Sequence, residues 1–367
     1  MSLVTEAAVL DALRAVKDPD LHQDIVTLGF IKDLVIDGGN VKFKVELTTP
    51  ACPVKDLLRD QAYEVVAAVA GVSNVELEMT ARVRAEVRTG PLIPGVKHVI
   101  AVASGKGGVG KSTVSVNLAV ALMQTGARVG ILDADIYGPS IPMMMGATEG
   151  PAYDGKTLYP VQAHGLLIMS IGFFIEDDKA VVWRGPMIGK ALNQFLGDVD
   201  WGDLDYLVVD LPPGTGDAPM SLAQLIPITG VVVVMTPQDV AQQIANKSVL
   251  MFRMMEQSTQ RSIPMLGVVE NMSGFVCPKC GEETDLFRSG GGEESAVKLG
   301  VPFLGSIPLD PSICVAGDIG KPALLVAPES RQADAFRSIA GKVAARISTL
   351  TVLEADKLAG ANGDAGN

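Results

Sequence analysis

The chain has 367 residues, with 30 lysines and arginines against 42 aspartates and glutamates, for a formal net charge of −12. That length holds about two domains, and an acidic balance without a lysine/arginine-rich run argues against nucleic acid as a partner. Hydrophobic residues make up 48% of the chain, yet no run of 18 apolar residues suggests a membrane span, Met1–Glu6 lacks the character of a signal peptide, and four scattered cysteines are not a disulfide framework. A cytoplasmic protein without membrane or nucleic-acid partners is expected.

In chain order, helical spacing runs from Ala7 to Val16. Residues 31–37 and 41–47 alternate around Gly38-Gly39-Asn40, the pattern of a hairpin. Residues 56–70 read as a helix and 75–87 as a final strand, giving a small α+β unit over 1–88. Cys52 lies between strand and helix; it is either a thiolate favoured by a helix N-terminus or a small buried hydrophobe. Gly90-Pro91-Leu92-Ile93-Pro94-Gly95 stops both helix and strand, so 89–96 is a linker.

The apolar, β-branched run 98–103 reads as a buried strand. It feeds Gly105-Lys106-Gly107-Gly108-Val109-Gly110-Lys111-Ser112, which fits the phosphate-cradling pattern G-x-x-x-x-G-K-[ST]. From Thr113 to Thr125 the spacing is helical, ending at Gly126. Glycines in such a loop let backbone N–H groups converge on phosphate at a helix N-terminus. Lys111 would meet the β/γ-phosphates, and Ser112 would offer its hydroxyl to Mg²⁺. Lys106 is a second lysine that the pattern does not require.

Further strands are expected at 128–132, 206–209, 231–235, 265–270 and 303–307, with helices at 185–195, 240–256 and 330–348. This alternation predicts an α/β fold: a doubly wound, mostly parallel sheet over 97–350, preceded by the α+β domain and followed by a flexible tail over 351–367. In such a sheet, ligands sit at the carboxyl ends of the strands. Asp133-Ala134-Asp135 closes one strand there, with Asp135 placed to orient an attacking water and Asp133 to hold a metal-bound water. Asp210 closes another, as a magnesium-side carboxylate of the Walker-B kind.

Cys277-Pro278-Lys279-Cys280 follows the strand that ends near Glu270-Asn271. A tetrahedral zinc or an iron–sulfur cluster needs about four ligands, so two thiolates per chain suggest a site shared by two chains. The spacing alone leaves a redox dithiol and a metal-free turn open as well.

The Gly105–Ser112 loop resembles the deviant Walker A motif of the dimeric SIMIBI-class ATPases, which include MinD, ParA and the nitrogenase iron protein. Within that class the chain is similar to the Mrp/ApbC-type iron–sulfur cluster carriers. The similarity covers Asp133–Ser140, Trp183-Arg184-Gly185-Pro186, Asp210–Asp217, Glu270-Asn271-Met272, Cys277–Cys280 and Gly290-Gly291-Gly292. The N-terminal unit is similar to the small iron–sulfur-assembly domain often fused to them, whose cysteine aligns with Cys52. The resemblance implies an ATP-hydrolysing homodimer with ATP and Mg²⁺ at Gly105–Thr113 and Asp210. It implies that Lys106 reaches the partner's nucleotide, that Asn271 and the Pro308-Leu309-Asp310 loop border the adenine, and that Cys277 and Cys280 of two subunits bridge a 4Fe–4S cluster. Apo iron–sulfur proteins and cluster-assembly proteins are the implied partners. A MinD/ParA-like positioning ATPase and a zinc-clamped targeting ATPase are the alternatives.

Overall fold

The computed structural model describes residues 4–85, 93–174, 193–259, 261–277, 279–280 and 282–363. They form two compact units: residues 1–87 together with 344–367, and residues 88–343.

In the first unit, Thr5 caps helix α1 (Glu6–Leu13), its hydroxyl accepting the Ala8 N–H at 3.2 Å. Strands β1 (Ile31–Asp37) and β2 (Asn40–Leu47) form the expected antiparallel hairpin. Helix α2 (Lys55–Ala67) then leads to β3 (Asn74–Ala81), parallel to β2. Alternate residues of β2 (Val41, Phe43, Val45 and Leu47) turn inward and meet Phe30, Leu58, Ala62 and Val66 in one core. The last strand ends at Ala81, short of the expected 87, and residues 86 and 87 lie outside the described residues.

The end of the chain differs from expectation. Helix α10 (Arg331–Gly363) continues through most of the segment expected to be a flexible tail. Residues 349–359 contain no glycine or proline to stop it. Thr351 is buried, and the Ser348 hydroxyl bonds Thr48 Oγ1, so packing within the first unit supports a segment whose composition reads as loose.

The second unit is built on strand β4 (Val96–Ser104), whose last seven residues are all buried. The chain continues through helix α3 (Lys111–Gln124), β5 (Val129–Asp133), short helix α4 (Ile141–Met144), β6 (Val161–Ala163) and β7 (Leu166–Ser170). It then passes β8 (Leu204–Asp210), α5 (Asp217–Leu225), β9 (Gly230–Met235), α6 (Asp239–Thr259) and β10 (Met265–Val276). It closes with β11 (Glu283–Thr284), α7 (Gly291–Leu299), β12 (Phe303–Leu309), α8 (Pro311–Asp318) and α9 (Ala323–Val326) before α10. The sheet order is β11-β10-β9-β4-β8-β5-β7-β6, with β12 also paired to β10. Every pairing along β12, β10, β9, β4, β8, β5 and β7 is parallel; β6 and β11 add antiparallel edges. Strands β8 and β9 are buried along their whole length, the signature of a parallel sheet covered on both faces. Of the expected helix at 185–195, residues 185–192 lie outside the described residues, as does Trp183–Pro186; residues 193–197 are helical.

Both faces being covered, polar chemistry is confined to the strand ends. Tyr206–Asp210 of β8 pairs with β4 and β5, bringing Asp210, Val102 and Asp133 level at the carboxyl edge. Strand β10 outruns its expected end at Glu270. Met272 and Gly274 take φ values of 59° and 67°, the register against β12 shifts between Asn271 and Phe275, and Phe275 and Val276 pair with Thr284 and Glu283. The polar run Glu270–Gly274 hides this extension from an apolar-pattern reading.

Leu207 is fully buried in mid-β8. Leu207→Ala is expected to cost about 3 kcal/mol, read as a lower urea midpoint by the fluorescence of Trp201, which is buried in the same core.

Candidate nucleotide site and cysteine ribbon

The loop between β4 and α3 supplies the backbone of the site. Gly108 and Gly110 both sit at φ 79°, the left-handed region glycine enters without strain. A Cβ on Gly108 would meet nothing within 4 Å, so its face is open. A Cβ on Gly110 would instead overlap Asn271 Nδ2. That amide donates to Val109 O at 2.8 Å and fixes the loop to β10. Loop and helix N-terminus together form a concavity of N–H groups suited to phosphate.

Beneath the loop, Lys111 is 6% exposed. Its Nζ lies 2.7 Å from Asp210 Oδ2 and 3.7 Å from Asp135 Oδ2. Asp210 is fully buried and also accepts from Ser112 Oγ and Ser115 Oγ, each at 2.6 Å. Lys111, Ser112 and Asp210 are thus gathered in one constellation. Ser115 joins it without having been singled out; its position one turn after Lys111, facing the sheet, was the available signal.

The two other carboxylates divide their work. Asp133 Oδ1 accepts the Asp135 N–H at 3.1 Å, while Oδ2 accepts from Ser140 N, Ile141 N and Ser170 Oγ at 3.1, 3.2 and 3.0 Å. Burial, and secondarily the charge of Asp210, push its carboxyl up to about 7. With both oxygens accepting from chain donors, Asp133 shapes the 134–141 loop. Asp135 Oδ1 is buried without a hydrogen-bond partner among the described residues, an orphaned acceptor where a cation or water would fit. Burial raises its carboxyl above the usual range, and Lys111 pulls it back. The donor set of Ser112, Asp210 and Asp135 is all oxygen, which fits Mg²⁺.

Lys106 Nζ lies 3.4 Å from Gln238 Oε1, which also accepts from Thr236 Oγ1 at 3.1 Å. Gly214 N donates to Ser104 O at 2.8 Å, tying the Pro212-Pro213-Gly214 loop to the end of β4. Asp310 caps α8 through Ser312 N at 2.7 Å and accepts from Gln332 Nε2. Its carboxylate is therefore committed to structure, and Pro308 lies within β12.

Cys277 and Cys280 stand at the tip of the β10–β11 ribbon, closed by Cys277 N donating to Glu282 O at 2.9 Å; Pro278 and Gly281 lie outside the described residues. Cys277 is half-buried and Cys280 exposed. Backbone N–H groups of Cys280 and Lys279 point at the Cys277 sulfur and hold its thiol below the usual range, which favours the ligating thiolate. Among the described residues no group of three or more His, Cys, Asp or Glu is arranged to hold a metal ion, so the pair has no third protein ligand there. In the first unit, burial pushes the Cys52 thiol up to about 11. Cys52 packs half-buried against the core of the first unit, which fits the packed-thiol reading. Cys314 is exposed on α8.

Residues 95–344 match the NUBPL iron-transfer P-loop NTPases, and residues 6–77 match a family of iron–sulfur cluster assembly proteins. The iron–sulfur cluster carrier protein of Deinococcus radiodurans is 48% identical over 351 residues, covering 95% of this chain and 97% of that protein. Its counterpart in Synechocystis is 45% identical, covering 94% and 99%. The Escherichia coli K12 carrier is 47% identical over 294 residues, 79% of this chain and 78% of that protein. Among solved structures, an Archaeoglobus fulgidus nucleotide-binding protein in complex with ADP is 41% identical, with a TM-score of 0.54 over 62% of this chain and 88% of that one. The cell-division ATPase MinD of Pyrococcus furiosus shares the fold at 22% identity, with a TM-score of 0.52 over 67% and 98%.

Removing Asp210 leaves the buried Lys111 ammonium with only the more distant Asp135. Asp210→Ala is expected to destabilise the nucleotide-free protein by about 3 kcal/mol or more, measured by denaturant unfolding; an unchanged midpoint would show that the pair is not buried as described.

Proposed function

This chain belongs to the NUBPL-type iron-transfer P-loop NTPase family, and we propose that it is an ATP-hydrolysing homodimer that carries a 4Fe–4S cluster between two subunits and delivers it to apo iron–sulfur proteins. One observation carries the reading: strand β10 is bonded to the phosphate loop through Asn271 and, six residues on, presents Cys277. This supports a reading in which nucleotide and cargo act on one continuous element. The N-terminal unit, matched to cluster-assembly proteins, is the part suited to meet assembly partners, and the cytoplasm is the compartment we assign to this work.

The loop amides of Gly105–Ser112 and the N-terminus of α3 at Thr113 cradle the phosphates of ATP, and Asn271 with the 308–310 segment borders its adenine. Lys111, held by Asp210 in the nucleotide-free chain, exchanges a carboxylate for a phosphate. Ser112 and Asp210 would hold Mg²⁺, which would supply neutralisation of the phosphate charge. Asp135, its carboxyl raised by burial, orients the attacking water through its free oxygen. Lys106 leaves Gln238 to reach the partner's nucleotide, so hydrolysis requires the assembled dimer, as a cation supplied in trans requires. Cys277 and Cys280 furnish half of a four-thiolate set, and a second subunit completes it.

Anaerobic reconstitution of a Cys277→Ala/Cys280→Ala variant is expected to yield protein without iron or sulfide that still binds ATP; retained iron would overturn the site. Zinc without sulfide in the unaltered chain would make the ribbon a structural clamp. Lys106→Ala should lower ATP turnover by about a thousandfold while one chain still binds ATP, and undiminished turnover would remove the role in trans.

A further inference from the structure

Glu270 is a buried carboxylate that the nucleotide chemistry does not use. It is 0% exposed, midway along β10 where that strand crosses the carboxyl edge of the sheet, level with Met235 of β9 and Ser306 of β12. Its three contacts come from both sides of the cysteine ribbon. On the outgoing strand, Ser273 Oγ donates to Oε1 at 2.5 Å. On the return, Gly290 N donates to Oε1 at 3.2 Å and Gly292 N to Oε2 at 2.5 Å. Gly290–Gly292 opens helix α7, where a carboxylate also meets the positive end of the helix dipole.

The glycine run is shaped for this contact. A Cβ on Gly292 would overlap Glu270, and one on Gly291 would overlap Pro237 O and Gln242 Nε2. Gly290 takes φ 83°. Backbone and carboxylate therefore approach closely enough that glycine is required, and the run is a docking surface for Glu270 and the 237–242 segment, not a slack linker.

The neighbouring residue points the other way. Adjacent side chains on a strand face opposite sides, and Asn271, next along β10, bonds Val109 O of the phosphate loop. One peptide bond thus joins the group that holds the nucleotide loop to the group that holds both roots of the ribbon. Beyond it, Met272 and Gly274 adopt left-handed backbone, so the ribbon leaves the sheet at a bend whose direction the clamp sets. On the far side, Arg288 pairs with Asp239 at 2.6 Å and with Glu294 at 2.7 Å, both exposed and of small energetic worth. The buried clamp dominates.

We propose that Glu270 and Ser273 are positioning residues that fix the root of the Cys277/Cys280 ribbon and convey the state of the phosphate loop to it through Asn271. The inference deepens the carrier reading and rests on it for its purpose, but not for its test. Without the Glu270 clamp, the ribbon pivots at Met272–Gly274 and its cysteines no longer sense what occupies the loop.

The test uses the full-length, metal-free chain, at a concentration where sedimentation shows a monomer, so that any response is carried within one chain. Maleimide alkylation of the Cys277–Cys280 peptide is followed by mass spectrometry with and without a Mg²⁺-bound, non-hydrolysable ATP analogue, with exposed Cys314 as internal reference. In the unaltered chain the analogue should change the ribbon rate about fivefold or more. In Glu270→Gln, which puts an amide where one oxygen accepts a backbone N–H, the ratio should fall to about one with analogue binding retained. Ser273→Ala, which removes a single hydroxyl, should lower the ratio in the same direction and carries the test if Glu270→Gln does not fold. A nucleotide response undiminished in both variants, or absent from the unaltered chain, would overturn the proposal. Zinc in place of iron and sulfide would defeat the carrier reading while leaving this measurement intact.

Discussion

A lysine ammonium buried against an aspartate organises the site. Lys111 enters the carboxyl edge of the sheet almost without solvent contact, and Asp210 meets it at 2.7 Å. An ion buried this deeply is tolerated only when its partner's remaining lone pairs are also satisfied, and the hydroxyls of Ser112 and Ser115 do that. The N-terminus of α3, the end of β8 and the phosphate loop between them are therefore held as one body before any nucleotide arrives. In the proposed reading an incoming phosphate would compete with Asp210 for the same ammonium.

The parallel sheet decides what that competition can reach. Its central strands are buried on both faces and offer polar groups only at their ends. Three strand ends are used in different ways: β5 leads to Asp133, which shapes a loop, and to Asp135, which keeps one oxygen open; β8 supplies Asp210, and β10 supplies Glu270 and Asn271. Among the described strands, β10 continues past the edge, as a ribbon leading to two cysteines. The strand that touches the phosphate loop is thus the strand that leads to Cys277 and Cys280, and the proposed coupling would be built by extension of one element.

Much of this was legible in the sequence. The strand–glycine loop–helix unit, the alternation of apolar strands with helices, the hairpin near the N-terminus and the carboxylates at strand ends all follow from short-range patterns. What stayed hidden depends on groups far apart in the chain. Glu270 reads as a polar strand terminator until Gly290 and Gly292, twenty residues on, are seen to donate to it. Asp133 and Asp135 look alike in the sequence; only the arrival of Ser140, Ile141 and Ser170 separates the loop-shaping carboxylate from the open one. The final helix, expected over 330–348, runs further for a related reason: the small, polar composition of its last residues reads as slack chain, whereas residues near Ser348 and Thr351 pack within the N-terminal unit. Cys52 was ambiguous because burial, which sets its thiol, is a property of the fold.

The central claim is that two chains share one cluster under nucleotide control. Iron, sulfide and chain mass measured together on anaerobically reconstituted protein, separated by size, test it most directly. Iron and sulfide should elute with the dimer alone, at about four irons per two chains, and Mg²⁺-ATP should alter the cluster's release to an iron chelator. Iron bound stoichiometrically to monomers, or a dimer holding zinc and no sulfide, would contradict the account.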